Sequence, residues 1–361
     1  MLSIHEASIM VQPYMAVALQ TSFRGVENRK QIPVNLEHIH DAMSAAVWLT
    51  EVELPVRLIA LPEGALQGFT DEVFDMAHSE YYDRIAVDIP GEETDRLGEM
   101  AKEFKTYIIA QARAKNPDFP DRYFNIAFTI DPHGKVIHRY HKLQVYVKEH
   151  TTTPHDVWDQ WIAKYGYKLD AFFPVVDTEI GRIGTMICQD AEYPETARGL
   201  AMNGAEIIYR GAEAEPLIGR GWFEIQNRAR ALDNTCYVIA PNIGPYYLTV
   251  NSKDPVNVTG GSSMIVDYHG QVVGRAASYG SGWASAPFYI DGLRQYRVTA
   301  KNGNWIRDLR TEIYKLIYEE PIWPKNLAIE KPPGKHADSA RLADEVTMKL
   351  VRRGVYKAPE K

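Results

Sequence analysis

The chain has 361 residues, 45% hydrophobic and 24% charged, which suits one large globular domain or two small ones. Its formal net charge of -7 is mixed along the chain, without the basic block that would track nucleic acid or an anionic membrane. Two cysteines, Cys188 and Cys236, argue against a disulfide framework, and there is neither a leader pattern nor a run of about 18 apolar residues. A soluble, cytoplasmic protein with no nucleic-acid or membrane partner is the expectation.

The predicted elements alternate between short β-rich runs and longer helical patterns. Residues 15–19 read as a buried strand, 35–52 as a helix, and 57–64 as a strand ending in a turn. A helix over 92–104 and a strand over 106–114 follow, then a hairpin over 124–142 around Asp131-Pro132-His133-Gly134. Residues 180–190 form a strand that stops at a polar segment. A helix over 194–206 carries its stop at Gly204, and a strand covers 205–211. A helix over 222–234, a strand over 236–242 and a second hairpin over 262–277, around Asp267-Tyr268-His269-Gly270, complete the pattern. The two similar turns hint at two related halves. The elements imply a single α/β domain of two sheets with helices outside them. After about residue 300 the pattern changes: residues 329–343, rich in Pro and charge, read as an extended arm, with a short helix and a tail behind it.

Cys188 ends the apolar run TMICQD, where a strand presents its last residues to a crevice. By itself a lone cysteine is more simply a core thiol, and Cys236 reads as one. A nucleophilic cysteine needs a base. His138 and His141 flank Lys142 without a recognisable Cys–His spacing, and His133 and His269 lie in turns. Glu63 ends the strand LIALPE, and Lys142 ends HRYHK. Singly, these two are ordinary surface charges. Together with Cys188 they place a base, a cation and a nucleophile at three strand ends. A carboxylate can take the thiol proton and pass it to a leaving amine, while an ammonium stabilises an oxyanion. No group of His and Cys has zinc spacing, so neither a metal nor a cofactor is implied.

LPEGALQGF around Glu63, HRYHKLQVYVKE around Lys142 and GTMICQDAEYPETARGLAMNGAEII around Cys188 are joined by RARALDNTCYVIAPN and GGSSMIVDYHGQVVG, in that order. Over roughly residues 12–315 the chain resembles the nitrilase superfamily, the Glu-Lys-Cys carbon–nitrogen hydrolases. The resemblance implies a four-layer α-β-β-α sandwich of two mixed sheets. Glu63 would be general base, Lys142 the oxyanion-stabilising cation and Cys188 the nucleophile. The backbone N–H of Gln189 would complete the oxyanion hole, and Glu149 would position substrate. It also implies a homo-oligomer, with 194–204 as an interface helix. Residues 1–315 would be the hydrolase domain and 316–361 a C-terminal extension at an oligomer interface.

Cys188-Gln189-Asp190 departs from the Cys-Trp-Glu of nitrile-cleaving members, and Ala191 and Glu192 stand where carbamoylases of D-amino acids carry arginines. The segment GAEIIYRGAEAEP and a late VRRGVY resemble aliphatic amidases and formamidases. A neutral small-molecule amide is therefore the expected substrate, hydrolysed through a Cys thioester. An N-carbamoyl compound is the alternative; a nitrile, or a fold that has lost turnover, ranks lower. LQVYVKE after Lys142 departs from the amidase pattern. Glu192, Tyr193 and Arg210 are candidates for the pocket. Residues 151–166, with Trp158, Trp161 and Tyr165, read either as an insertion packed on the surface or as a lid over a larger substrate.

Overall fold

A computed structural model describes residues 10–213, 219–256, 260–277 and 279–359. The end of the segment 204–216, noted above for its amidase resemblance, lies outside them. Two six-stranded mixed sheets dominate. The first runs, edge to edge, Gly282–Phe288, Tyr14–Gln20, Val56–Ala60, Tyr107–Lys115, Tyr123–Ile130 and Val136–His141. The second runs Val272–Arg275, Met264–Val266, Tyr237–Ala240, Ile207–Gly211, Gly181–Ile187 and Val175–Thr178.

Strand alternation assigns the layers. In Tyr14–Gln20, Ala16 and Ala18 face the space between the sheets, where they meet Ile183, Ile207 and Ile239. Val17 and Leu19 face outward onto Leu36, Ile39 and Met43 of the helix Ile32–Thr50. On the far side, Ile208, Val238 and Ala240 of the second sheet pack on Leu200, Phe223 and Ala231 of the helices Pro194–Met202 and Trp222–Asn234. Period-two patterning thus sorts each strand onto two cores, giving the four-layer α-β-β-α order expected from the resemblance.

The two halves share a topology. In each sheet three consecutive parallel strands are followed by an antiparallel hairpin. The hairpin turns match bond for bond. Asp131 Oδ1 accepts from His133 and Lys135 N–H, and Asp267 Oδ1 accepts from His269 and Gln271 N–H. Gly134 and Gly270 carry φ of 81° and 74°, in the left-handed region that glycine enters without a Cβ clash.

Two segments differ from their sequence reading. The arm expected over 329–343 becomes helical at His336 and continues to Arg352, because Pro332 and Pro333 end the extended part and Asp338 Oδ2 accepts from the Lys335 N–H at the helix start. The dense charge of this stretch hides its helical period. Residues 151–166 are anchored rather than laid on the surface. Thr152 N–H donates to the Tyr123 carbonyl at 2.9 Å, and Trp161 is buried, stacked on Phe119 and bonded through Nε1 to the Ala171 carbonyl.

Candidate active site

The parallel strand Val56–Ala60 delivers Glu63 three residues beyond its end. Leu61 N–H donates to the Ile109 carbonyl, and Gly64 N–H to Gln111 Oε1. Gly64 has φ 77°, and a Cβ there would stand 2.6 Å from the Phe69 ring, so a substituted residue could not make this turn without moving the ring. Lys142 follows the edge strand Val136–His141 and is held by its own N–H on the Asn125 carbonyl. Both therefore emerge at the same end of the first sheet.

All three charged side chains are buried, Glu63 at 2%, Lys142 at 2% and Glu149 at 5% exposure. Lys142 Nζ donates to Glu63 Oε1 at 2.9 Å and to Glu149 Oε2 at 2.6 Å. Asn125 Nδ2 donates to Glu63 Oε1 and Glu149 Oε1 at 2.8 and 2.9 Å, and Thr151 Oγ1 also donates to Glu149. Burial disfavours the ammonium, but the two carboxylates outweigh it and raise Lys142 well above the ordinary lysine range. Burial likewise opposes the Glu149 carboxylate, but Lys142 and Arg113 bring it down to about 2. The group is a charged, hydrogen-bonded array in a low-dielectric setting, where each charge relies on the others.

Cys188 opens a short 3-10 turn, Cys188–Glu192, directly after the strand Gly181–Ile187. Its φ is 43°, unusual for a residue with a Cβ. The turn is tied down from several sides. Asp190 accepts from Ile187 N–H, Tyr140 OH, Leu143 N–H and Gln144 N–H. One carboxylate thus joins the cysteine turn to the residues just after Lys142. Burial still lifts Asp190 to about 6. Arg210 donates to the Cys188 carbonyl at 3.2 Å, and Arg230 to the Ala191 carbonyl at 2.9 Å. Burial pushes the Cys188 thiol well up and the Glu63 charge adds to it, while Lys142 and Arg210 work the other way.

Beside this array lies a cavity of about 840 Å³. Glu149, Thr151, Gln189 and Tyr193 are in its polar wall, and Leu143, Phe172, Phe173 and Trp323 in its apolar wall. Residues 151–158 and 323–345 both contribute, so the former insertion shapes the cavity as well as packing inward.

Of the residues expected from the sequence, Glu63, Lys142 and Glu149 meet within hydrogen-bonding distance, and Cys188 lies within their electrostatic reach. Gln189 and Tyr193 line the cavity. Two pocket candidates are corrected. Glu192 is exposed and does not line the cavity. Arg210 is buried under the cysteine turn, with its guanidinium held by Cys188, Asn227 and Gln226. Glu149 pairs with Lys142, not with Lys148 or His150. Asn125 and Gln111 were not singled out, although each is a polar residue inside an apolar strand (YFNIAFTI and YIIAQARAK), which calls for a buried partner. Gln111 Nε2 donates to Asn125 Oδ1 at 2.6 Å and so aims both Asn125 N–H groups at the carboxylates.

A family model described as carbon-nitrogen hydrolase matches residues 20–297. Formamidases from Bacillus cereus (strain B4264) and Bacillus thuringiensis (strain Al Hakam) are 30% and 28% identical over 245 and 242 residues. Each match covers 66% of this chain and 65% of the relative, so the chain spans just under two thirds of the curated relatives it matches. Among solved structures, Saccharomyces cerevisiae Nit3, of the nitrilase superfamily, superposes with a TM-score of 0.62 at 20% identity, covering 82% of this chain and 97% of that one. An amidase from Nesterenkonia sp. AN1 in complex with acrylamide gives 0.59 at 18% identity, covering 87% and 100%. At such identities these likenesses establish the nitrilase fold alone.

Proposed function

The chain belongs to the carbon–nitrogen hydrolase family, and on that premise we propose that it hydrolyses the C–N bond of a neutral, non-peptide amide through a thioester on Cys188. The observation that carries this reading is the buried Glu63–Lys142–Glu149 array acting on the Cys188 thiol. The formamidase relatives support amide cleavage.

Both hydrogen bonds to Glu63 fall on Oε1, which leaves Oε2 to accept a proton. As the amide carbonyl carbon meets the sulfur, Glu63 takes the thiol proton and the S–C bond forms. Negative charge moves to the carbonyl oxygen, where the Lys142 ammonium and the Gln189 N–H stabilise it. Collapse breaks the C–N bond, and Glu63 returns the proton to the leaving nitrogen. Water, deprotonated by Glu63, then attacks the thioester and releases the acid, and the proton goes back to sulfur. Glu149 holds Lys142 in place and faces the cavity, where it accepts from the substrate N–H.

The cavity far exceeds the needs of formamide, and its apolar wall favours an amide with an apolar or aromatic body. An N-carbamoyl substrate, the alternative, would yield carbon dioxide besides ammonia. We further propose a homo-oligomer, with the exposed apolar residues Leu316, Ile317 and Ile322 of the C-terminal extension against a second copy.

Intact-protein mass spectrometry with a panel of small and aromatic amides tests the mechanism. An acyl mass increment on Cys188, absent in Cys188→Ala, is expected. Turnover retained by Cys188→Ala would refute it.

A further inference from the structure

Three residues far apart in the sequence converge beside the cavity. Asp75 follows the short helix Thr70–Val73, His150 follows Glu149, and His336 opens the helix His336–Arg352. One donor atom from each lies within 4.8 Å of the others.

The hydrogen bonding of His150 makes this group unusual. Its Nδ1 lies 2.8 Å from the Gly334 carbonyl, which can only accept, so Nδ1 carries the proton. In the neutral ring Nε2 is then a bare lone pair. His150 is 2% exposed, and Nε2 is buried without a hydrogen-bond partner among the described residues. It faces Asp75 Oδ1 at 3.1 Å. Two acceptors at that distance repel unless a cation stands between them. His336 Nε2 is 3.7 Å from the same carboxylate oxygen. Lys335 is adjacent, yet its ammonium donates to the Asp75 backbone carbonyl, not to the carboxylate.

We propose that Asp75, His150 and His336 form a binding site for a divalent transition-metal ion, zinc by its donor set, which pins the C-terminal segment against the cavity. Imidazole nitrogen and carboxylate oxygen bind zinc at about 2.0 to 2.2 Å, which sets tetrahedral donors about 3.3 to 3.5 Å apart. The two separations from Asp75, 3.1 and 3.7 Å, bracket that edge, and the two imidazole donors lie within 4.8 Å of each other, so binding draws the His336 ring inward. The bond from His150 Nδ1 to a backbone carbonyl is the support that fixes a metal-binding imidazole in the right tautomer. Asp75 and His336 are partly exposed, at 39% and 26%, which leaves an entry path. His336 Nε2 now lies 3.1 Å from the Lys148 carbonyl, so ligation moves its ring proton to Nδ1 and replaces that contact. A water fills the fourth position. The three ligands belong to the loop after Val73, the segment following Lys142 and the C-terminal arm. One ion therefore fastens the arm, through Gly334 and His336, to the residue next to Glu149.

The test uses the full chain, stripped with a chelator and titrated with zinc alone or cobalt alone. One equivalent of zinc per chain is expected, with the visible d–d bands of tetrahedral cobalt and amide exchange over 323–345 slowed at least tenfold. His336→Ala and Asp75→Asn, both outside the buried array, are expected to lower zinc affinity at least about tenfold, as loss of a ligand should. His133→Ala, in an exposed turn, leaves it unchanged. Absence of stoichiometric binding in the wild type would overturn the site and assign the Asp75–His150 contact to a proton. So would wild-type zinc affinity in both ligand variants.

Discussion

Asn125 Nδ2, on the strand Tyr123–Ile130, lies 2.8 Å from Oε1 of Glu63, and both side chains are buried. The same amide nitrogen donates to Glu149, so one neutral side chain keeps two carboxylates at a fixed separation around Lys142. Asn125→Leu is expected to leave each carboxylate one donor short. A buried acceptor without its donor costs about 1–3 kcal/mol. Turnover should fall at least tenfold and the melting temperature should drop. Asn125→Asp should fall further, because it adds a third carboxylate where two already meet. Steady-state kinetics on the two variants, with thermal melts, check the order.

Lys142 is the only cation hydrogen-bonded to both carboxylates among the described residues. Lys142→Met leaves Glu63 and Glu149 facing one another without their shared counter-ion, with Arg113 still favouring the Glu149 charge, and breaking a buried pair this way costs about 3–5 kcal/mol. Glu149→Gln removes one of the two charges while keeping an acceptor for Thr151 and Asn125. The double variant should therefore be more stable than Lys142→Met alone, a non-additive result that denaturant unfolding can read. All three proteins should lose turnover, so stability and activity part company. Additive destabilisation would mean that the charges act independently.

How much of this was legible follows from distance along the chain. The period-two and helical patterns located most strands and helices, including Glu92–Phe104 and Trp222–Asn234, and Glu63, Lys142 and Cys188 stood out at the ends of apolar strands. Asn125 and Gln111 left a trace, a polar residue within an apolar strand, but their partners come from other strands and no local pattern names them. Asp190 was visible only as part of a family block. Its four donors come from Ile187 and from residues 140–144, a relation that only the packing of the two sheets creates. Asp75, His150 and His336 have no sequence spacing at all; the return of the C-terminal arm makes them neighbours. The terminal helix was expected after residue 343 and begins at His336 instead, because charge outweighs its sparse apolar positions, of which Leu350 alone is buried.

Acid should destabilise the fold below neutral pH through buried histidines, two of them on the edge strand. Burial lowers His138 to about 4 and His141 to about 3. His138 uses Nε2 on the Pro174 carbonyl, and its Nδ1 has no partner, so a second proton there would be buried unpaired. The unfolded chain binds these protons near pH 6.5 and the native chain does not. Unfolding therefore takes up protons, and stability decreases as pH falls from 6.5 toward 4. His138 and His141 together contribute a slope of up to about 2.7 kcal/mol per pH unit within that window, and His78, which burial lowers to about 4, adds to it. Urea unfolding at pH 7, 6 and 5 measures it. His138→Asn, which keeps a polar group but cannot titrate, should flatten the slope by up to about 1.4 kcal/mol per pH unit, the share of one proton. An unchanged slope would remove His138 from the account.

The φ of 43° at Cys188 makes a prediction about stability that is separate from catalysis. A residue with a Cβ in the left-handed region carries roughly 1–2 kcal/mol of strain, which glycine does not. Cys188→Ala keeps the Cβ and therefore the strain; Cys188→Gly releases it. Glycine ordinarily loses about 0.5–1 kcal/mol to alanine through the entropy of the unfolded chain. At position 188 the two effects oppose, and the strain is the larger. Cys188→Gly should melt at or above Cys188→Ala, with both proteins inactive and both unable to take up an acyl group. If the glycine variant is instead the less stable by its usual margin, the turn holds no strain. The placement of the sulfur then rests on Arg210, Arg230 and the Asp190 bonds alone.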